Sequence, residues 1–402
     1  MRFPEKLLTI CVLMLSVVDC SAQEIPEVSS GNIHLRGSLT NSKLVFEQSG
    51  KGHVAFIGGS ITQMNGYRPM VSAFLEQRFP NTEFEFTNAG ISSTCSVTGA
   101  HRMTRDVLSK GDVDLLFIEF AVNDDQDAGH DITHAIRGME GLLAQVRRHN
   151  PKADVIVTHF ANQSMMDSIR NGEIPISIVA HNRVCGHYKI STNDLCAELV
   201  ELIDDEKTTW DLYGGVHPKP YGNAICTSMI RKLLDQGWAK QVDKVVVHPT
   251  PEMLMDVGSY VWGQLADPVT AKHDQHWKVS VPDWMDIPGG FRQQFAGLQL
   301  LHSETVQSEF KYTFEGTSLG AYVLAGPDAG VLEVCVDGNE TLHTVNLFHR
   351  HSRGLHYPRT VMLAEGLKTG RHTITVRIDS SRDAQSRGSA VRILNFATNA
   401  KR

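Results

Sequence analysis

The sequence predicts an α/β domain with a parallel sheet covered on both faces, followed by an all-β sandwich or jelly roll. Between Val54 and about Ile230, near-continuous apolar strands alternate with amphipathic helical segments, which is typical of a buried parallel sheet. From Glu309 onward, about seven short strands follow at roughly ten-residue spacing between turns, which indicates a sandwich. The 402 residues are enough for both domains.

The strands and helices of the first domain are predicted from the period of their apolar residues. Three strong strands, "HVAFIG", "VDLLFIEFAV" and "ADVIVTHF", begin at His53, Val113 and Ala153, and "FEFTNAG" is a weaker fourth. The amphipathic segments are Gly66–Arg78, Thr98–Leu108 and Thr133–His149, with a further helix-rich stretch at Ile176–Val200. In the second domain the expected strands run from "EFKYTFEG" to "AVRILNFAT".

The domain boundaries are predicted from changes in composition. Prolines in "VVVHPTPE" and "LADPVTA" mark a linker after about Val245. We therefore expect a signal peptide at 1–22, the α/β domain at 23–244, a connecting segment at 245–300 and the β-domain at 301–402.

The first 22 residues resemble a cleaved secretory leader. Arg2 and Lys6 precede an apolar run that is too short to span a bilayer, and small residues follow. The protein is therefore expected to be secreted or periplasmic; lipidation at Cys20 is less favoured, because Asp19 is a poor residue before a lipidated cysteine. A net charge of −7 without a long basic run argues against nucleic acid as the main partner, and no membrane span is expected.

Five cysteines follow the leader, an odd number with no CxxC pair. This pattern is neither a disulfide framework nor a zinc site, so buried free thiols are expected, although Cys185 and Cys196 could pair. His130 and His134 of "HDITH" have no accompanying carboxylate motif, so zinc is not expected there either.

The stretch "HVAFIGGSIT" carries the first candidate for catalysis. Parallel sheets place functional groups at the carboxyl ends of their strands, and two glycines allow a tight turn that exposes Ser60. A serine in this position is more often a helix N-cap. A nucleophilic role requires a general base and donors for an oxyanion.

Later strand ends supply such groups. Gly90 of "NAGIS" offers a backbone N–H, Asn123 of "FAVND" offers an amide donor, and His217 of "GGVHP" offers an imidazole. Each has an ordinary structural interpretation by itself, as a turn glycine, a capping asparagine and a surface histidine. Four such groups in this order at successive strand ends indicate one site.

The four segments "GGSIT", "NAGIS", "FAVND" and "GGVHP" resemble the four blocks of the SGNH (GDSL-type) hydrolases, over roughly residues 54–230. The resemblance implies a flavodoxin-like three-layer α/β/α fold and ester hydrolysis without a metal or organic cofactor. It also implies that Ser60 is the nucleophile and His217 the general base. The N–H groups of Ser60 and Gly90 and the amide of Asn123 would form the oxyanion hole.

Two positions depart from the family pattern. Ala121 replaces a glycine, which is a small change, and Gly214 stands where the family has the aspartate that orients the histidine. Three interpretations remain: a backbone carbonyl holds His217, Asp211 substitutes for the missing carboxylate, or the site is impaired. The first two are preferred, because the rest of the motif set is present.

Two further residues lie near the predicted strand ends. Glu119 on an apolar strand needs a partner, and an ion pair with Arg102 or Arg105 behind the oxyanion hole is expected. His159 ends a strand and is a candidate substrate contact, although a structural histidine is an equally good interpretation.

The segment "FHRHSRGLHYPRT" of the second domain is dense in hydrogen-bond donors. It is expected to be a solvated loop or, alternatively, a sugar-recognising edge in which His349 and Arg350 contact substrate. A jelly roll beside this kind of domain resembles arrangements among carbohydrate esterases. The leading hypothesis is therefore a secreted serine esterase that removes acyl groups, O-acetyl above all, from a carbohydrate or another small ester. The alternatives are a lipase or thioesterase of the same fold, and a carbohydrate-binding protein with a degenerate esterase site.

Overall fold

The computed structural model describes residues 24–339 and 342–401. The predicted signal peptide lies outside these ranges. Within them, none of the helices combines the length and apolarity needed to cross a membrane. The fold class predicted from the sequence is confirmed: an α/β domain precedes a β-sandwich.

A six-stranded sheet forms the centre of the first domain, with the strand order β1-β6-β5-β4-β2-β3. All neighbours are parallel except β1 and β6. The strands are β1 (Ile33–His34), β2 (Lys51–Gly58), β3 (Glu83–Gly90), β4 (Leu115–Glu119), β5 (Asp154–Thr158) and β6 (Ser191–Asn193). The helices are α1 (Thr40–Ser49), α2 (Ser60–Gln63), α3 (Tyr67–Arg78), α4 (Ser96–Asp106), α5 (Ile132–His149), α6 (Gln163–Arg170), α7 (Ile176–His187), α8 (Leu195–Asp204), α9 (Trp210–Tyr213) and α10 (Pro220–Gly237).

Both faces of the central strands are covered, which explains their unbroken apolar sequences. Successive side chains of a strand point to opposite faces. Phe56 and its partner Phe117 therefore pack on one side, in a core completed by α3, α8 and α10. Ile57 and its partner Ile118 pack on the other side, against α4 and α5. The result is the expected three-layer arrangement.

The strand order creates a topological switch point between β2 and β4. The chain leaves β2 for β3 on one side, then returns to β4 on the other side and continues to β5 and β6. In sheets of this kind, ligands bind in the crevice at the carboxyl ends of the strands beside the switch. Ser60 follows β2, and Asn123 follows β4 within a short π-helix, Asn123–Ala128.

Two antiparallel sheets form the second domain, with the orders β15-β12-β17-β10-β9, where β7 also pairs with β17, and β14-β13-β16-β11-β8. Their strands are β7 (Gly263–Ala266), β8 (Lys272–His273), β9 (Lys278–Ser280), β10 (Leu300–Ser303), β11 (Glu309–Gly316), β12 (Leu319–Ala325), β13 (Val331–Val336), β14 (His343–Asn346), β15 (Tyr357–Ala364), β16 (Gly370–Ile378) and β17 (Val391–Asn399). Residues 245–300, expected as a connecting segment, contribute β7, β8 and β9 to these sheets.

The two halves are docked through α4 and the loops around it. This helix packs against β7, β15 and β17, and Thr98 donates a hydrogen bond to Thr360 across the boundary (Oγ1–Oγ1 2.9 Å). Glu365 of the second domain accepts hydrogen bonds from two side chains of α5, His134 Nε2 at 3.1 Å and Arg137 Nη1 at 3.1 Å, and from the Tyr260 hydroxyl of the connecting segment at 2.8 Å. The second domain is therefore fixed directly beside the loops that follow β3 and β4.

Candidate active site

Ser60 and His217 form a hydrogen-bonded pair at the carboxyl edge of the sheet. The distance between Ser60 Oγ and His217 Nε2 is 2.7 Å. Ser60 is half-buried and His217 is exposed. Gly59, not Ser60, occupies the N-cap position of α2, and no side chain caps that helix. The Ser60 hydroxyl therefore contacts the imidazole that a nucleophile needs as its base.

Two glycines make the turn before Ser60 sterically possible. A Cβ on Gly58 would lie closer than 3.0 Å to the Thr62 hydroxyl, and a Cβ on Gly59 would lie equally close to the Asn123 amide. The turn can therefore pass between its neighbours only without side chains at these positions. This close packing also brings Asn123 against the backbone just before Ser60.

Asn123 is 3% exposed, and its amide nitrogen donates to the Asp127 carboxylate one turn later (Nδ2–Oδ2 2.6 Å). An amide NH₂ has two hydrogens, so a second one is available for a ligand. Gly90 lies in register with Gly58 on the neighbouring strand. Its N–H donates to the Asn88 side chain (3.0 Å to Oδ1), which a bound oxyanion would have to displace.

Arg102 is fully buried and ties the ends of β2 and β3 together. Its guanidinium donates to the carbonyl oxygen of Gly58 at 2.9 Å and to that of Ala89 at 2.6 Å, and it pairs with Asp106 at 3.1 Å. The expected ion pair with Glu119 is therefore wrong. The Nη donors of Arg102 are directed to the two backbone carbonyls, to Asp106 and to the Thr94 hydroxyl at 3.3 Å, and none of them contacts Glu119.

Glu119 lies beneath the turn Gly58–Ser60. One carboxyl oxygen accepts hydrogen bonds from the Gly59 N–H at 3.3 Å and the Thr62 hydroxyl at 3.1 Å, while the other has no partner among the described residues. Burial raises the pKa of Glu119 to about 7, because the charged form loses its hydration and no cation compensates. Glu119 therefore supports the turn as a group that titrates near neutral pH.

The loop that carries His217 explains the absent aspartate. Gly214 has φ +112°, and a Cβ there would come closer than 3.0 Å to the Lys219 backbone nitrogen, which donates to the Tyr213 carbonyl at 2.9 Å. An aspartate does not fit this loop. Asp211 is exposed on α9, and across the described ranges neither its carboxylate nor a backbone carbonyl accepts a hydrogen bond from His217.

His159 does not face a substrate, which corrects the expectation for this residue. It is fully buried, with Nε2 at 3.4 Å from Asn182 Oδ1 and its ring 5.9 Å from that of His181. Burial lowers the pKa of His159 to about 3. The ring is therefore a neutral interior group.

The second domain reaches the loops of the candidate site through two groups of residues. His349 Nε2 donates to the Asp127 carbonyl at 2.7 Å, and His351 Nε2 lies 3.5 Å from the Asp127 carboxylate. Burial, together with Arg359, lowers the pKa of His349 to about 4, so this ring is neutral. Arg350 is exposed and hydrogen-bonds only to His351 among the described residues.

Residues 292 and 294 contact the loop after β3 and the end of α2. Arg292 donates to the Ser92 carbonyl at 3.3 Å and to the Ser93 hydroxyl at 2.7 Å, while Gln294 accepts from Gln63 at 2.7 Å. Sequence reasoning missed Asp127, Arg292 and Gln294. Only Asp127 had a local signal, because it lies four residues after Asn123, where helical side chains meet.

The five cysteines within the described ranges are free thiols, and four of them are buried. Cys185 and Cys196 do not pair, so the expectation of buried free thiols is confirmed for them. Cys95 lies beside Asp124 and His130, in a cluster that is separate from the Ser60–His217 pair.

Comparison with known proteins identifies the first domain. Residues 56–225 match the family model of the GDSL-like lipase/acylhydrolases. The crystal structure of a two-domain esterase (CEX) active on acetylated mannans is 20% identical, with a TM-score of 0.73 over 94% of this chain and 100% of that chain. The same esterase co-crystallised with mannopentaose gives the same values over 94% and 99%. A catalytic mutant of an acetylxylan esterase from Geobacillus stearothermophilus is 17% identical over 48% of this chain and 97% of that chain, with a TM-score of 0.39. No curated protein matches the sequence.

Proposed function

Since residues 56–225 match the family model of the GDSL-like lipase/acylhydrolases, we propose that the protein is a serine esterase in which Ser60 is the nucleophile and His217 the general base. The observation that carries this proposal is the 2.7 Å contact between the Ser60 hydroxyl and the His217 ring. The same contact weighs against a degenerate site, because a binding protein has no need to keep the pair assembled.

The reaction proceeds through an acyl-enzyme. Ser60 Oγ forms a bond to the ester carbonyl carbon while His217 Nε2 takes the hydroxyl proton. The N–H groups of Ser60 and Gly90 and the amide of Asn123 donate to the oxyanion. His217 then returns the proton to the departing alcohol. In the second half, His217 deprotonates a water molecule that attacks the acyl carbon, and it gives this proton to Ser60 Oγ as the bond from Ser60 to the acyl group breaks and the acid leaves.

For the substrate we propose an O-acetylated carbohydrate. The support is that the fold likeness to the esterase active on acetylated mannans extends over 94% of this chain and therefore includes the β-sandwich. The predicted leader would export the enzyme to where such polymers occur. His349 contacts Asp127, and Arg350 projects into solvent nearby, so this segment is the proposed sugar-facing edge.

The first experiment tests the catalytic pair. Hydrolysis of p-nitrophenyl acetate is expected to fall by a factor on the order of 10³ or more in Ser60→Ala and His217→Ala. Ser72→Ala and His149→Ala are matched controls, since these side chains lie outside the site. Unchanged turnover in Ser60→Ala contradicts the proposal.

A second experiment tests the substrate class. A series of p-nitrophenyl esters of increasing chain length, together with acetate release from acetylated mannan and xylan, separates a sugar deacetylase from a lipase. We expect the highest kcat/KM with acetyl and measurable acetate release from at least one glycan. A preference for octanoyl over acetyl, without acetate release, favours the lipase alternative.

A further inference from the structure

A cavity of about 430 Å³ lies between the two domains, and neither Ser60 nor His217 lines it. Cys95, His130 and His134 line it from the first domain, and Tyr357 and Arg359 line it from the second. Its wall contains side chains of the types that bind transition metals.

Three of these donor atoms converge. One ligand atom each of Cys95, Asp124 and His130 lies within 4.8 Å of the others. His130 Nδ1 is 3.5 Å from Asp124 Oδ1, which is long for a hydrogen bond. Two oxygen or nitrogen ligands of a tetrahedral Zn²⁺ ion, each about 2.1 Å from the metal, are separated by about 3.4 Å. The spacing of His130 and Asp124 therefore fits two corners of such a site.

The surroundings hold these donors in place and leave one of them without a partner. Asp124 accepts from the Ser96 N–H at 2.8 Å, the Ser96 hydroxyl at 2.6 Å and His181 Nε2 at 2.8 Å. The His130 backbone N–H is bound to the Asp124 carbonyl at 2.9 Å. His130 Nδ1 is buried and has no hydrogen-bond partner in the described part of the chain. A buried nitrogen without a partner is costly unless something else satisfies it.

We propose that Cys95, Asp124 and His130 form a binding site for a divalent cation of the Zn²⁺ class, with a fourth position open to the interdomain cavity. Thiolate, carboxylate and imidazole are the ligands that Zn²⁺ accepts, and three protein ligands leave one position free. Ser96 and His181 orient the carboxylate from outside the ligand set. Binding moves the Cys95 thiol proton to solvent. This proposal does not rest on the proposed esterase function.

A metal-free arrangement of the same residues is the alternative. Burial opposes charge on both Cys95 and His130. The charged form of each stabilises the charged form of the other, and these stabilising effects together outweigh burial. The pKa of Cys95 is therefore lowered, and the pKa of His130 is raised to about 10. Without a metal, the two would form a thiolate–imidazolium pair. A metal titration distinguishes this pair from a cation site.

Co²⁺ is the probe, because its thiolate complexes absorb in the near ultraviolet. The full chain, stripped with a chelator, is expected to bind one Co²⁺ with a thiolate-to-cobalt band that Zn²⁺ displaces. Cys95→Ser is expected to abolish the band. Cys335→Ser, which changes the cysteine of the second domain, is the matched control and is expected to keep it.

Two further variants test the other parts of the site. Ser96→Ala removes a support of Asp124 and is expected to weaken Co²⁺ binding by about 10-fold to 100-fold. His130→Gln removes a ligand and is expected to weaken binding by more than Ser96→Ala does. Absence of the band in the wild-type chain, or its persistence in Cys95→Ser, overturns the proposal in favour of the ion pair. The wild-type titration decides the question even where a variant fails to fold.

Discussion

At Gly214 the backbone excludes the residue that serine–histidine sites commonly use. Its φ of +112° and the nearby Lys219 nitrogen leave no space for a side chain. Gly215 has a similar positive φ of +80°, but open space around it. A side chain at either glycine would strain the backbone, but only a side chain at Gly214 would also clash with its neighbours. Comparing the same substitution at the two positions therefore measures the clash alone.

Gly214→Asp is expected to destabilise the protein by about 2 kcal/mol more than Gly215→Asp, because both variants bear the strain of a positive φ and only the first adds a clash. No gain in kcat is expected from the added carboxylate. Chemical denaturation and p-nitrophenyl acetate turnover measure the two effects. Equal stability of the two variants together with a higher kcat for Gly214→Asp would show that the loop accepts an orienting carboxylate.

Glu119, beneath the turn Gly58–Ser60, makes the free energy of unfolding depend on pH. Its pKa is raised from 4.5 to about 7, so folding favours the protonated form. The contribution to the free energy of unfolding is fully present below pH 4.5 and is lost as pH rises through 7, a change of about 3 kcal/mol. Glu119→Gln keeps an oxygen acceptor for Gly59 and Thr62 and removes the titration.

The measurement is chemical denaturation of wild type and Glu119→Gln at pH 5 and pH 8. We expect the variant to gain roughly 2 to 3 kcal/mol relative to wild type between these values, which is most of the full change. The comparison between the two proteins cancels the titration of all other groups. A difference that is the same at both pH values contradicts the raised pKa.

Among the elements, the π-helix Asn123–Ala128 connects the candidate oxyanion hole to the second domain. It presents Asn123 at one end and Asp127 one turn later, where Asp127 binds the amide of Asn123 and contacts His349 and His351. π-Helical turns are frequent at functional sites. Asp127 thus acts as a positioning residue for the proposed oxyanion donor.

Asp127→Ala is expected to lower kcat by about tenfold and to leave KM within about twofold, because a misplaced donor affects the oxyanion more than the bound ester. Asp125→Ala is the control from the same π-helix, since Asp125 binds Asn162 instead. Steady-state kinetics with p-nitrophenyl acetate gives both constants. A rise in KM at constant kcat contradicts the positioning role.

The elements and site residues that the sequence predicted are those with a local signal. β2, β4 and β5 are apolar runs, β3 alternates polar and apolar residues at its start, and Ser60 and His217 follow glycine turns. β6 was missed because its three residues, Ser-Thr-Asn, are polar although buried. The short strands β7 to β10 are defined by pairing with distant strands. The contacts of Arg102 and Arg292 likewise join residues 13 and 200 positions apart, which no local pattern encodes.

At the scale of the whole molecule, the interface between the domains depends on a titrating cluster. Hydrogen bonds from His134 and Tyr260 lower the pKa of Glu365 against the opposing effect of burial, and Glu365 raises the pKa of His134. The contribution of Glu365 to the free energy of unfolding is present above pH 4.5 and is lost as pH falls through the lowered pKa of Glu365. The contribution of His134 to the same free energy is present below pH 6.5 and is lost as pH rises through the raised pKa of His134.

Glu365→Gln is therefore expected to lower the thermal unfolding temperature most between pH 4.5 and 6.5, with a smaller effect at either extreme. Calorimetry across pH 4 to 9 measures this difference. Glu333→Gln is the control, since Glu333 pairs loosely with Arg377 inside the second domain. An effect of Glu365→Gln that does not vary with pH shows that the cluster does not respond to protonation.

The exposure of His217 and the half-buried position of Ser60 place the proposed catalytic pair at the molecular surface. An acyl group on an internal unit of a polymer can therefore approach Ser60 from the side, and no chain end has to be threaded into the protein. For glycans with the same density of acyl groups, the rate of release per group is expected to be independent of the degree of polymerisation. The enzyme would then remove substituents along intact chains before any glycosidic bond is cut.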